Sequence, residues 1–151
     1  MTDLPPRLFA ADADVVRIGE GLLARTLPRA EWTHEAHLAA CLYLLRERPE
    51  IDLDARIAGI ISGYNESVGG VNDDQSGYHD TITRCYLAGV RQFLAGRPPA
   101  EPLVVAVNAL LACPVGRRDW PLRFYSRERL FSVAARRGYL PPDLAAIELK
   151  P

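Results

Sequence analysis

The sequence predicts an all-α fold, a single-domain bundle of about five to six helices, and three observations carry that prediction. Apolar residues recur at three- and four-residue spacings along most of the chain, as a buried helix face requires. Cap and breaker residues bound those series, with Thr33, Asp52 and Ser126 before them and Pro28, Pro49 and Gly96 after them. No stretch alternates with a period of two, as a half-buried strand would.

Residues 1–10 read as an extended lead-in, because Pro5-Pro6 blocks a helix start. From Asp12 or Asp14, the series Val15, Ile18, Leu22 and Leu23 predicts a first helix that closes at Leu27-Pro28. Gly19 and Gly21 weaken it. A second helix should start at Thr33, a good N-cap, with Glu35 in the favourable first turn, and run through Leu38, Leu42 and Leu45 to Pro49. A third begins near Asp52 and carries Leu53, Ile57, Ile60 and Ile61 to Tyr64. Residues 65–77 are rich in Gly, Asn and Asp and are expected to be a long loop, functional or mobile. A fourth helix spans about Tyr78 to Leu94, and a fifth runs from Glu101-Pro102 to Cys113-Pro114. Ser126 should cap a sixth that ends at Arg136-Arg137-Gly138, and residues 138–151 form an irregular tail in which Pro141-Pro142-Asp143-Leu144 adds at most one turn.

Composition narrows the function classes. The net charge of -1 argues against a nucleic-acid partner, which calls for a basic excess. No apolar run is long enough for a membrane span, and the N-terminus lacks the apolar core of a secretion signal. Cys41, Cys85 and Cys113 are isolated and suggest no disulfide framework, so a cytoplasmic protein is expected. Arg117, Arg118, Arg123 and Arg127 read either as a solvated face or as an anchor for an anionic small molecule. Trp32 and Trp120 read as core or as pocket walls.

The chemistry is concentrated in two stretches that hold all three histidines: Trp32-Thr33-His34-Glu35-Ala36-His37-Leu38 and Gly77-Tyr78-His79-Asp80-Thr81-Ile82-Thr83. His34 and His37 leave one helix face at i, i+3. If successive helices run antiparallel, His79 starts the fourth helix at the same end of the bundle. The cluster His34, His37 and His79 would then be a first shell for zinc or iron. Glu35 or Asp80 would act as general base or orient an imidazole, with Cys41 as a less favoured fourth ligand. Arg84 is placed to bridge Asp80 at i, i+4. The expected function is a metal-dependent enzyme acting on a small molecule. Two alternatives stand beside it: a non-catalytic ligand-binding or interaction module with structural histidines, and a metal-free acid–base site at the positive ends of two helices.

The two stretches together resemble a small uncharacterised bacterial family of helical proteins. Its members carry an aromatic-x-His-x-x-His motif and a Tyr-His-[Glu/Asp]-Thr-[Ile/Leu]-Thr motif. The resemblance covers mainly residues 32–94 and implies that both stretches form one unit; it brings no activity. His79-Asp80 is also similar to the dyad of HD-domain phosphohydrolases, but the polar Gln75-Ser76-Gly77-Tyr78 departs from the apolar helix of that family.

Overall fold

The second helix, α2 (His34–Glu47), is the centre of the architecture in a computed structural model that describes residues 6–147. Its buried residues, among them Ala36, Leu38, Ala39, Leu42 and Leu44, cover most of its circumference, as in a helix packed by several others; the face of His37, Cys41 and Leu45 is less buried. Around it pack α1 (Asp12–Ala24), α4 (Asp80–Ala95) and α5 (Leu103–Ala112). α3 (Leu53–Ser67) makes its main helix contact with α1. No strand occurs among the described residues, so the all-α prediction holds.

Local chemistry explains where the helices begin. The Thr33 hydroxyl accepts from Ala36 N at 3.1 Å, and the Asp52 carboxylate accepts from Ala55 N at 3.3 Å, so both predicted caps satisfy an orphan N–H. Gly96 closes α4 as expected. The predicted sixth helix is instead two, α6 (Arg127–Leu130) and α7 (Val133–Arg137). Ser132 divides them, because its hydroxyl accepts from Ala135 N at 3.1 Å and starts a new helix. With these, the described residues contain seven α-helices rather than five or six. Residues 138–147 form no helix; Leu144 N donates to Phe124 O at 2.9 Å and Asp143 accepts from the Ser126 hydroxyl at 2.6 Å. The expectations for residues 1–5 and 148–151 lie outside the described residues.

The stretch 65–77 differs from expectation. It stays helical to Ser67, and the rest is pinned by Asn72. That side chain donates to Ser62 O at 3.0 Å and accepts from Tyr78 N at 2.9 Å. The Arg137–Asp74 ion pair and the bond from Arg136 to Gly77 O, at 2.8 Å, tie the same stretch to α7.

Gly89 sits inside α4 despite its low helix propensity. A Cβ there would collide with the ring of Trp120, which is 1% exposed. Trp120 therefore belongs to the core, and the missing side chain at position 89 is what lets its ring lie against α4.

Candidate functional site

α3 leans on α1, and a space of about 350 Å³ remains between α3 and the pair α2–α4. α2 contributes His34, His37, Leu38, Ala40, Cys41 and Leu44 to its wall. Ile57 and Ile61 come from α3, Ile82, Thr83 and Tyr86 from α4. Leu22, Trp32 and Arg118 complete the lining. The size is in the range of cavities that take small molecules, and the lining has their usual character, apolar with a few polar groups. The N-terminal end of α3 is held to α4 by Asp54, whose carboxylate pairs with Arg91 at 2.7 Å and whose carbonyl accepts from Arg84 at 3.0 Å.

Two of the three histidines belong to this cavity. His37 Nδ1 lies 2.7 Å from Thr33 O, and since a carbonyl only accepts, that nitrogen carries the proton. Its ring stacks on Trp32 with centroids 3.8 Å apart. The ring keeps accessible surface because it fronts the cavity, but protein surrounds it otherwise, and this burial pushes its pKa down to about 4. At neutral pH His37 is therefore an uncharged imidazole whose Nε2 offers a lone pair. His34 is held through its other nitrogen: Nε2–H donates to Gly116 O at 2.8 Å, and the ring meets Tyr86 edge-on at 5.8 Å. The Tyr86 hydroxyl is occupied by Arg117 O at 2.6 Å.

His79 does something else. It is the N-cap of α4, with Nδ1 accepting from Ile82 N at 3.1 Å and Nε2–H donating to Leu130 O at 2.8 Å. Both nitrogens are engaged with backbone, and the ring is 8% exposed. Tyr86, the α4 residue against His34, lies seven residues along the chain from His79. On a helix that is a displacement of about 10 Å along the axis. The expected ligand set of His34, His37 and His79 is thus not assembled, and no group of three His, Cys, Asp or Glu among the described residues could hold a metal ion. Cys41 lines the cavity as a thiol, its pKa pushed up to about 12 by burial, and so is not poised as a thiolate ligand.

The expected carboxylates also separate. Asp80 accepts from the Tyr78 hydroxyl at 2.6 Å and pairs with Arg84 at 3.0 Å, the predicted i, i+4 bridge. It does not line the cavity. Glu35 is 5% exposed, with Oε2 3.5 Å from Arg7 N and 3.7 Å from the Arg118 guanidinium; Oε1 has no hydrogen-bond partner among the described residues. Burial pushes the Glu35 carboxyl up, but its own N–H, that of Arg7, and the charges of Arg118 and His34 together outweigh burial and hold it below the ordinary carboxylate value.

The residues of the second motif, 77–83, divide between several structural tasks. Tyr78, Asp80 and Arg84 form one polar chain, and His79 caps the helix. Thr81 is fully buried; its hydroxyl donates to Gly138 O at 3.1 Å and accepts from Leu140 N at 3.0 Å, fastening residues 138–140. Only Ile82 and Thr83 of this motif reach the cavity. Spacing alone did not identify the cavity residues Tyr86, Ile57 and Ile61. Their apolar helical pattern reads as core and gives no sign that the core is left unfilled there.

The state of His37 is checked by its titration. Its pKa lies below the unfolded value of 6.5, so the unfolded chain binds the extra proton first. The stabilisation from this residue is complete above pH 6.5 and is lost as pH falls towards about 4. His79 is shifted the same way, by burial against a partly offsetting bond to Leu130 O. Nitrogen NMR of the imidazoles should show His37 as a neutral Nδ1–H ring at pH 7, and a His37→Gln variant should flatten the fall in melting temperature across that window. A His37 that titrates at or above 6.5 contradicts the assignment.

Searches of protein families, of curated proteins and of solved structures find no match to this chain. Among the described residues, no helix is long and apolar enough to cross a membrane.

Proposed function

We propose that this protein binds a small, mainly apolar molecule in the cavity between α2, α3 and α4, with His37 Nε2 accepting a hydrogen bond from it. The observation that carries this reading is an uncharged imidazole of fixed tautomer in a mainly apolar wall. The Nε2 lone pair is left over once Nδ1 is engaged, so an occupant with a donor group gains a hydrogen bond there that one without it lacks. The metal-dependent alternative has less support, because His79 spends both nitrogens on backbone groups and no third His, Cys, Asp or Glu among the described residues stands with His34 and His37 to hold an ion.

Titration with p-cresol, against 4-methylanisole as the analogue without a donor, tests the reading. Methyl signals of Ile57, Ile61 and Ile82 and the His37 ring nitrogens should shift with p-cresol. The anisole should bind about fivefold to tenfold more weakly, the worth of one hydrogen bond. Equal affinity for the two, or shifts confined to residues outside the cavity, would remove the role given to His37.

A further inference from the structure

We propose that the natural occupant of the cavity carries a single carboxylate, received at the cavity mouth by the guanidinium of Arg118. The inference rests on the binding reading above and adds the charge of the ligand.

Most arginines near the cavity are already tied down. Arg84 bonds to Asp80, and Arg91 bonds through two nitrogens to Asp54. Arg117 pairs with Asp119 at 3.1 Å. Arg118 differs: it lines the cavity, its side chain is 56% exposed, and it makes no side-chain hydrogen bond among the described residues. Its ion partner Glu35, at 3.7 Å, is beyond hydrogen-bond range. Glu35 is buried and does not line the cavity, so it acts on an occupant only through Arg118. The pair leaves a guanidinium held near the mouth by a fixed counter-charge, with its N–H fork unspent.

The charge balance selects the class of occupant. A dianion such as a phosphate monoester would face one cation already partly neutralised by Glu35. A cationic head would meet the guanidinium directly. A monocarboxylate suits the planar fork, which it can engage through both oxygens, while its apolar body occupies the space lined by Leu38, Leu44, Ile57, Ile61 and Ile82.

Phenylacetate and phenylacetamide, matched in shape and differing in charge, are the probes, followed by the methyl shifts of Ile57, Ile61 and Ile82. Phenylacetate should bind more tightly than the amide. Arg118→Gln should weaken phenylacetate about fivefold, the modest worth of an ion pair at an exposed position, and leave the amide within a factor of two. Glu35→Gln, which removes the opposing charge while keeping the shape, should strengthen phenylacetate about threefold and leave the amide unchanged. If the amide binds as well as the acid, or if both substitutions leave the acid unaffected, the carboxylate assignment is overturned while the cavity reading stands. If neither probe moves the cavity methyls while p-cresol does, the carboxylate assignment falls and the cavity reading stands; if p-cresol fails as well, both fall.

Discussion

Replacing His79 with alanine is expected to lower the unfolding free energy by about 2–4 kcal/mol and the melting temperature by about 5–12 °C. Two losses add up to that figure. The first is the helix cap, since Ile82 N loses the Nδ1 acceptor at 3.1 Å; an N-cap is worth about 1 kcal/mol. The second is the Leu130 carbonyl, which accepts from Nε2–H at 2.8 Å and would be left without that partner in a buried setting, at about 1–3 kcal/mol. His79→Asn should recover part of the loss, because a short amide can cap the helix but cannot also reach Leu130. Neither variant should change the response to added zinc. The measurement is denaturant and thermal unfolding with and without metal. A zinc-dependent stabilisation present in the parent and absent in His79→Ala would mean that His79 is a ligand after all.

The second large effect concerns the cavity. Ala40→Phe is expected to abolish detectable binding of p-cresol and to change stability by no more than about 1–2 kcal/mol. Ala40 is 1% exposed and faces the cavity from α2, so a larger side chain there occupies the ligand's own space. Filling an existing void replaces missing contacts rather than forcing new overlap, which is why stability should hold while binding disappears. Ala40→Leu serves as the graded companion and should weaken binding without eliminating it. A Phe variant that folds normally and still binds p-cresol with parental affinity would place the binding site elsewhere on the molecule.

The helices were legible because each depends on neighbours in sequence. The apolar stripes, the Thr33, Asp52 and Ser126 caps and the Gly96 stop all act over three or four residues, and all reappear in the fold. The Asp80–Arg84 bridge is local in the same sense. Ser132 was missed because a serine within an apolar stripe is compatible both with continuation and with a restart; its hydroxyl chose the restart.

The site was only half legible. His34 and His37 stand three residues apart, so helical geometry alone puts both imidazoles on one face; Trp32 precedes the helix, and the turn before Thr33 brings its indole onto His37. The sequence by itself thus determined an all-helical chain with two histidines presented together. Whether His79 joined them depended on how α4 slides along α2, a quantity that no local pattern encodes. Packing set it so that Tyr86, rather than His79, meets His34, and the cap position of α4 finds the Leu130 carbonyl instead. The same packing leaned α3 towards α1 and left the space that Ile57 and Ile61 line. Burial and tautomer then followed from that arrangement, because both depend on which distant carbonyl or apolar surface an imidazole meets.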